Sequence, residues 1–402
     1  MNAILDRFPP TRAAAQAALA AFVPHAGNDY AQTRNFDFGP KRRSNVSNLS
    51  PYIRARVLDE VTVARAVLAQ HSPQAADKFL TEVFWRTYWK GWMELRPDVW
   101  NQYTYDINRL HYDVQTQSGL RKRWETACLG DTGIVPFDAW AKELAQTGYL
   151  HNHARMWFAS IWIFTLELPW QLGADFFMRH LLDGDVASNT LSWRWVAGIQ
   201  TRGKTYLATR ENIETFTEKR FSNVTGLAQR ADPQDAPENP APRLLPPCVP
   251  LPLPDRYGVL LHCDDAGLSV LKDQAPEPVA FAYADATAAH SPWQMAPHVA
   301  DFRARTAADV LGANQTGPAL TSATALAAWA KRENLAQVVT LYAPTGPLQQ
   351  MLSDYAALPD APPLSLHRRA LDTAAWPLAT KGFFPFRKHI PRLIGEFVRK
   401  SP

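Results

Sequence analysis

The proline-rich stretch between Pro233 and Pro254 most limits what this chain can fold into, because it holds nine prolines in twenty-two residues. Proline lacks a backbone N–H and fixes its φ angle, so the stretch can form neither a regular helix nor a central strand. Residues 226–256 are therefore predicted to be an extended linker. A chain of 402 residues leaves enough sequence on each side for a domain with its own core.

Residues 1–225, before the linker, have the pattern of an all-helical domain. Apolar residues recur at intervals of three and four in segments such as 57–68 and 79–92. Eleven of the fourteen tryptophans lie in this part of the chain. This bias indicates an aromatic-rich core or an electron-transfer site.

Residues 257–370 have a different period. Short apolar runs at 258–262, 279–282, 338–342 and 364–367 are typical of buried strands. Helical patterns separate them at 299–311, 322–332 and 348–357. This alternation predicts an α/β domain with a mostly parallel sheet. No GxGxxG or Walker loop accompanies it, so nucleotide binding here has no motif to support it.

Residues 371–402 form a basic, aromatic tail that is predicted to be helical. Docking on the rest of the protein is the favoured interpretation of its segment Lys381–Lys400, and contact with nucleic acid is the alternative. The net charge of +4 is mild and does not by itself imply a nucleic-acid partner.

The three cysteines form no CxxC or Cys/His cluster, which predicts a reducing compartment and no metal centre. Residues 13–23 are interpreted as an amphipathic helix and not as a signal peptide. The sequence contains no run of eighteen apolar residues, so no membrane span is predicted. We expect a cytoplasmic monomer.

Leu181–Gly198 is the stretch with the most unusual chemistry. Asp183 and Asp185 flank a glycine, Asn189 follows, and Trp193 and Trp195 lie two residues apart. Burying unpaired carboxylates and amides in a core costs free energy, so this combination indicates a functional site. The alternative is a loop with capping acids that leads into an aromatic core element.

Three further segments are NVSNLSPYI at 45–53, EVFWRTYW at 82–89 and GYLHNHARM at 148–156. With DGDVASN at 183–189 they occur in the order found in the DNA photolyase and cryptochrome family, which this chain resembles. The resemblance implies a helical domain that binds FAD, which is active in its reduced form. The α/β part follows this domain here, whereas it precedes it in ordinary photolyases. The chain is therefore most similar to a rearranged photolyase-like class implicated in repair of cyclobutane dimers in single-stranded DNA.

The resemblance also implies the cofactor contacts. Asp185 would accept from the flavin N3–H, Asn189 would face N5, and Asp183 would pair with Arg155. The full set implied to bind FAD is Tyr30, Ser47, Asn48, Leu49, Ser50, Asn152, Arg155, Asp183, Asp185 and Asn189.

The segment that corresponds to the diphosphate loop departs from the family pattern. Val46 replaces a threonine, and Asn48 replaces a basic residue. Ser47 or Ser50 is a suitable N-cap for the helical pattern that follows. The missing charge could come from Arg34, Lys41, Arg42 or Arg43.

The implied substrate contacts involve six residues. Glu82 and Asn152 would hydrogen-bond the damaged pyrimidines, and Met156 would line their pocket; these three are the catalytic candidates. Trp85 and Trp195 would form the two walls on which the dimer stacks. Arg86 would hold phosphate or a nearby carboxylate. Photolyases for (6-4) lesions have histidine at the position of Asn152, so the asparagine favours cyclobutane dimers.

Trp193 and Trp170 match the first two members of the family's electron-transfer chain. The third tryptophan has no counterpart near Gln117, and Trp124, Tyr112 and Tyr149 are the candidates to replace it. A loop with Arg202, Lys204 and Tyr206 replaces the family's usual segment. It would contact phosphate or flavin, or lie in solvent.

The resemblance implies an enzyme, a deoxyribodipyrimidine photo-lyase that repairs UV-damaged DNA with a preference for single strands. The alternatives are a flavin photosensor without repair activity, a (6-4) photolyase and an inactive flavin-binding remnant. Whether an antenna chromophore binds the α/β part stays open.

Overall fold

A computed structural model describes residues 3–267, 276–314 and 317–399. It has the predicted architecture, in which a helical domain precedes an α/β domain. The helices of the first domain are α1 (Ala3–Arg7), α2 (Arg12–Phe22), α3 (Asn28–Thr33), α4 (Ser50–Arg54), α5 (Glu60–Leu68), α6 (Pro73–Glu94), α7 (Asp98–Thr116), α8 (Ser118–Leu129), α9 (Val135–Thr147), α10 (Asn152–Ser160), α11 (Trp170–His180), α12 (Val186–Val196) and α13 (Arg210–Phe216).

The long helix α6 lies at the centre of the helical domain. Ser72 caps its first turn by accepting from the amide of Ala75, and Pro73 suits a position where no N–H is needed. Its buried residues pack against α3, α5 and α12. At Gly91 a Cβ would lie 2.7 Å from the backbone of Trp376, so only glycine allows the C-terminal tail to approach this closely.

Residues 217–256 contain no helix or strand, as nine prolines would require. The segment nevertheless lies along the helical domain. Arg96 donates to the carbonyl of Pro240 at 2.9 Å, and Arg194 donates to Asn239 at 2.6 Å. These side-chain contacts hold the extended segment against the helical domain, although the segment has no helix or strand hydrogen bonds of its own.

The second domain is built on four parallel strands in the order β2-β1-β3-β4. Val259 of β1 pairs with Phe281 of β2 on one side and with Val339 of β3 on the other. The second strand begins one residue later and runs two residues further than predicted. The elements are β1 (Tyr257–His262), β2 (Ala280–Ala284), α14 (Pro297–Leu311), α15 (Ala323–Arg332), β3 (Gln337–Leu341), α16 (Pro347–Ala356) and β4 (Leu364–His367).

The carboxyl edge of this sheet faces the helical domain. Arg54 of α4 pairs with Asp264, just after β1, at 2.7 Å. Glu94 of α6 accepts from the hydroxyl of Tyr342, just after β3, at 2.8 Å and from the amide of Thr345. Ligands of open α/β sheets usually bind at this edge, between strands such as β1 and β3. In this chain, side chains of the helical domain meet it instead.

The tail contains α17 (Ala370–Ala375), α18 (Phe383–Arg387) and α19 (Ile390–Phe397), and it packs on α5 and α6. Phe383, Phe386 and Leu393 are buried in the core of the helical domain. The tail is therefore docked on the protein, in the arrangement that its sequence favours.

Candidate functional site

Segments that the sequence singles out meet on one side of α6. Arg34, which follows α3, forms an ion pair of 2.5 Å with Glu82 of α6. The carbonyl of Arg34 accepts from Nε2 of His151, the residue before α10, at 3.0 Å. Burial lowers the pKa of His151 to about 4, so its imidazole is neutral and holds α3 against α10 by hydrogen bonding alone.

Two ion pairs complete the arrangement. Arg155 of α10 donates to Asp183 at 2.8 Å, as expected. Arg86 of α6 donates to Asp185, the N-cap of α12, at 3.1 Å. Contacts therefore run from α6 through α3, α10 and α12 and back to α6. Five of the predicted site residues therefore belong to one connected network: Glu82, Arg86, Arg155, Asp183 and Asp185.

The Arg155–Asp183 pair is suited to hold a polar cofactor. The Asp183 side chain is 6% exposed, and its second oxygen, Oδ1, has no hydrogen-bond partner among the described residues. The guanidinium of Arg155 lies over the ring of Tyr149 at 5.3 Å. Asp183 therefore offers one oxygen to a ligand while the other is held by Arg155.

Asp185 has more partners than predicted. Its carboxylate accepts from Arg86, from Lys90 at 3.0 Å and from the amide of Ser188 at 2.9 Å. Burial alone would raise its pKa, but Lys90 and Arg86 outweigh burial and hold the pKa well below its usual range. Protein groups already stabilise this charge, so the predicted flavin contact would be an additional one.

The loop before α4 differs from prediction at its caps. Neither Ser47 nor Ser50 caps the helix, because Leu49 is the N-cap and makes no side-chain capping bond. Ser47 accepts from the amide of Leu49 at 3.3 Å in a local turn. Asn48 has a positive φ of 53°, which asparagine tolerates well, and this turn brings the chain into α4.

Several buried polar atoms around this loop have no partner among the described residues: Asn45 Oδ1, Asn48 Oδ1, Ser50 Oγ, Arg43 Nε and Arg43 Nη1. Buried polar groups are normally hydrogen-bonded, so such a group of atoms indicates a polar ligand. With Asp183 Oδ1 they offer both donors and acceptors of the kind that the polar groups of a dinucleotide cofactor can use. The residues present therefore fit the predicted cofactor.

The basic residues near the loop are mostly paired. Arg43 is buried and pairs with Glu143, Arg34 pairs with Glu82, and Arg42 pairs with Glu218 at 3.2 Å. Lys41 is exposed. Arg43 is the cation with unpartnered nitrogens next to the loop, so it is the best of the four candidates to meet a diphosphate.

Tyr30 is buried beside the Arg34–Glu82 pair. It is 8% exposed and packs edge-on against Phe22 and Phe79, at 5.9 and 5.2 Å. Its hydroxyl is also hydrogen-bonded to the Arg34 side chain, so its predicted contact with the cofactor stays a prediction.

Asn189 and Trp193 lie beside the site on α12. The amide of Asn189 donates to the carbonyl of Ala174 at 2.8 Å, which orients its side chain. Trp193 is 2% exposed and meets Phe177 and Trp162 edge-on, at 5.1 and 6.2 Å. The indole is therefore held rigidly.

Glu82 and Asn152 stand at the open side. Glu82 is partly exposed, and Asn152 is an exposed residue at the start of α10. Met156, one turn along α10, is partly buried. Burial raises the pKa of Glu82, although the Arg34 guanidinium opposes this shift.

Trp85 does not have the open face that was predicted for it. Phe383 of the tail stacks on it with ring centroids 3.5 Å apart and an interplanar angle of 11°. Trp195 stacks on Tyr206 at 5.9 Å and stays partly exposed. The expected pair of open walls is therefore wrong for Trp85, because the tail occupies one face of its ring.

Arg86 contacts carboxylates, which was one of its two predicted roles. It donates to Asp185 and to Glu60 at 3.3 Å, and also to the carbonyl of Arg54 at 3.2 Å. The described contacts of its guanidinium are therefore made within the protein.

The aromatic side chain next to Trp170 is not one of the three expected candidates. Tyr103 lies 5.7 Å from Trp170, and Trp100 stacks on Tyr103 at 5.2 Å. Trp124 instead stacks on Trp293 at 5.2 Å. Trp100 and Tyr103 are i and i+3 on α7, a spacing that by itself indicates only core packing.

The loop that contains Arg202, Lys204 and Tyr206 makes contacts within the protein. Arg202 pairs with Glu238 at 3.3 Å on the surface, and Lys204 is exposed. Tyr206 is the member of this loop that reaches the site, through its contact with Trp195.

Of the described residues, no set of three or more His, Cys, Asp or Glu is placed to bind a metal ion. None of the helices in the described ranges has the length and apolar character needed to cross a bilayer.

Comparison with known proteins agrees with this geometry. Residues 79–236 match the family model described as the FAD binding domain of DNA photolyase. The chain is 29% identical to the deoxyribodipyrimidine photo-lyase of Vibrio cholerae over 202 residues. This alignment covers 48% of this chain and 40% of that protein. Over 160 residues, it is 34% identical to the enzyme of the same name from Streptomyces griseus, covering 39% and 32%.

The chain was also compared with the crystal structure of a class III photolyase from Agrobacterium tumefaciens, to which it is 24% identical. The superposition covers 52% of this chain and 43% of the photolyase, with a TM-score of 0.41. The chain thus spans less than half the length of each of these relatives. The segment that matches the family model contains α10, α11 and α12 and most of α6, which build the site. Residues 79–236 are thus similar to the FAD binding domain of DNA photolyase, and FAD is the cofactor that this domain binds.

Proposed function

We propose that this protein is a light-driven photolyase that splits cyclobutane pyrimidine dimers, with a preference for single-stranded DNA. The observation that carries the proposal is the ring of contacts that joins Arg155 and Asp183, on the cofactor side, to Glu82, on the open side. The relatives named as photo-lyases add support for the segment that they match.

The chain's own residues hold the cofactor and orient it. Asp183, Asn48 and Ser50 offer unpartnered oxygens, and Arg43 offers unpartnered nitrogens. When bound, FAD would supply the light-driven electron donor and acceptor for splitting the dimer, with no net redox change. The protein's task is therefore positioning and electrostatics.

Glu82, Asn152, Met156 and Trp195 would hold the dimer. Glu82 suits a hydrogen bond to the dimer, because its carboxylate can accept from a pyrimidine N3–H while Arg34 holds it in place. Stacking on an aromatic ring such as Trp195 contributes about 1–3 kcal/mol per base. Extruding a damaged base costs a few kcal/mol, and less from a single strand than from a duplex.

A flavin photosensor without repair activity is the second candidate, and one observation favours it. Phe383 covers a face of Trp85 that the photolyase interpretation expected to be open. A photosensor would tolerate a covered pocket, whereas a photolyase must admit the dimer past the tail or against the remaining walls.

The test compares substrates. Reduced protein is illuminated with four oligonucleotide samples, carrying either a cyclobutane dimer or a (6-4) lesion, each single-stranded and duplex. We expect light-dependent recovery of the thymine absorbance band for the cyclobutane dimer, mainly on the single strand. Recovery on duplex alone would overturn the strand preference, and recovery of the (6-4) lesion alone would overturn the substrate assignment.

Replacing Glu82 with glutamine tests the role of this side chain. Loss of one hydrogen bond of about 0.5–1.5 kcal/mol is expected to lower repair about two- to tenfold. The wild type should also lose repair as falling pH protonates Glu82, because a neutral carboxyl no longer pairs with Arg34, and burial raises the pKa at which this happens above that of an ordinary glutamate. The variant should show no such step. Repair per absorbed photon, measured against pH, checks both expectations.

Glu211→Gln is the matched control, because Glu211 is an exposed acid on α13 away from α6. Equal pH profiles for the wild type and the Glu82 variant would rule out a role for the charge of Glu82 in repair.

Trp170→Phe tests the electron-transfer chain. Phenylalanine is much harder to oxidise than tryptophan, so light-driven reduction of the oxidised flavin by an external thiol should slow severalfold. Repair by chemically reduced protein should not change. Trp124→Phe is the comparison, since Trp124 stacks on Trp293. An equal slowing in both variants would contradict the route through Trp170.

A further inference from the structure

The tail is fixed next to the proposed lesion site by several contacts. The hydroxyl of Tyr88 on α6 donates to the carbonyl of Lys381 at 2.9 Å. Arg387 pairs with Asp77 of α6 at 2.7 Å. Phe383 is 5% exposed between Trp85 and Tyr88. The short helix α18 therefore has a defined position beside the helix that carries Glu82.

Phe384, the next residue, points away from this packing. Its side chain is 76% exposed, among the highest values for large hydrophobic residues in the described part of the chain. It meets Phe383 edge-on at 6.4 Å, and Phe383 stacks on Trp85. A continuous row of rings thus runs from the lesion site to solvent and ends in a phenylalanine that packing does not require.

The charges around Phe384 are unbalanced. Lys381 and Lys388 are exposed on the same tail, and Lys78 is exposed on α6, close enough for its charge to act on Glu82. Within the described ranges these three lysines form no ion pair. Lys90 differs from them, because it pairs with Asp185. The nearby acids Asp77 and Glu396 are each paired with arginine. The patch therefore has a net positive charge around an exposed ring.

We propose that Phe384, Lys381, Lys388 and Lys78 form a binding surface for the single-stranded DNA that flanks the dimer. A base next to the lesion stacks on Phe384, and the lysines contact the phosphates on either side. This proposal rests on the proposed function and extends it, because it assigns the strand contact to a tail that lies outside the segment shared with photolyases.

An exposed aromatic ring set among cations is suited to single strands because every base has a face that can stack, whatever the sequence. In a duplex the same faces are already stacked inside the helix, so Phe384 would gain nothing from them. The surface therefore supplies a physical reason for the proposed strand preference.

The test measures binding of an undamaged single-stranded thymine oligonucleotide in the dark, by fluorescence anisotropy, with the flavin-loaded full-length protein. Phe384→Ala is expected to weaken binding about five- to a hundredfold, the range for loss of one stacked base. Affinity for the oligonucleotide falls as the salt concentration rises. In the Lys381→Gln, Lys388→Gln double variant, the slope of log affinity against log salt should become less negative by about 0.7 for each lysine that neutralises a phosphate.

Controls come from exposed residues elsewhere. Tyr112→Ala removes a ring that is 65% exposed on α7, and Lys122→Gln with Lys142→Gln removes two exposed charges on α8 and α9. Both should bind like the wild type. Unchanged flavin content and thermal unfolding would show that the Phe384 variant is folded.

The outcomes separate the two proposals. A wild type that repairs the dimer but binds no undamaged single strand would overturn only the assignment of the surface, whereas a wild type that neither binds nor repairs would overturn the proposed function itself. A wild type that binds, with Phe384→Ala binding equally well, would overturn only the assignment of the surface. A drop in affinity in the Tyr112 control as large as in the Phe384 variant would also overturn it.

Discussion

Replacement of Arg56 by methionine is expected to lower the free energy of unfolding by about 3–5 kcal/mol, the cost of removing one partner of a buried ion pair. Arg56 is 4% exposed and donates to both oxygens of Asp372, at 2.5 and 2.8 Å. It also lies 3.3 Å from Asp265 and 3.4 Å from Glu60. The substitution leaves Asp372 buried without the arginine that holds it.

The effect should be large because this cluster joins three parts of the chain. Arg56 and Glu60 belong to the helical domain, Asp265 follows β1 of the sheet, and Asp372 lies in the tail. Asp265 and Glu60 keep second partners, Arg369 and Arg86, whereas Asp372 has no second ion-pair partner among the described residues.

Denaturant unfolding followed by circular dichroism measures this prediction. Arg305→Met, which removes an exposed charge 3.9 Å from Asp301, should change stability by less than about 0.5 kcal/mol. Arg56→Met combined with Asp372→Leu should recover part of the loss, because no unpaired carboxylate remains at that position. A single variant as stable as the Arg305 control would show that the cluster does not hold the domains together.

Asp183→Asn is expected to weaken FAD binding about ten- to a hundredfold, from the loss of a charged hydrogen-bond partner worth about 1.5–3 kcal/mol. The amide would still fit the space, but it would no longer form an ion pair with Arg155 or present a carboxylate oxygen to the cofactor. The purified variant should therefore be pale, and repair should fall with its flavin content.

Fluorescence titration of flavin into the stripped protein gives the affinity. Asp175→Asn is the matched control, because Asp175 is also buried and pairs with Arg179 at 2.7 Å within α11. It should cost stability and leave flavin binding near that of the wild type. Full flavin affinity in the Asp183 variant, or equal losses in both variants, would contradict the role assigned to Asp183.

Local patterns were sufficient to predict the division of the chain. Prolines exclude helix and strand wherever they cluster, and the period of apolar residues distinguishes a helix from a buried strand. All four strands were located within a few residues for this reason. The Arg155–Asp183 pair was also expected, through the resemblance to photolyases, and it is present in the structure.

Contacts between distant segments could not be predicted in the same way. Phe383 stacks on Trp85 from almost three hundred positions away, and no periodicity in either segment encodes that meeting. The pairing of Arg34 with Glu82 is hidden for the same reason. The i, i+3 spacing of Trp100 and Tyr103 is visible in the sequence, but only the structure shows that Tyr103 lies beside Trp170, a predicted member of the electron-transfer chain.

The cap at α4 shows a limit of local rules. Ser50 precedes a proline and was a reasonable N-cap, yet the left-handed turn at Asn48 places Ser50 inside the first turn. Its hydroxyl is therefore left without a partner among the described residues and becomes a candidate cofactor contact. A departure from a local preference at this point coincides with the predicted site.

The number of cyclobutane dimers split per bound FAD is the most direct test of the proposed repair activity. Flavin-loaded protein is reduced, mixed with excess single-stranded dimer-bearing oligonucleotide and illuminated, with an identical sample kept dark. We expect each bound FAD to split more than one dimer in the light and none in the dark. Flavin that absorbs light and changes its redox state while the thymine absorbance stays constant would contradict repair and identify the protein as a photosensor.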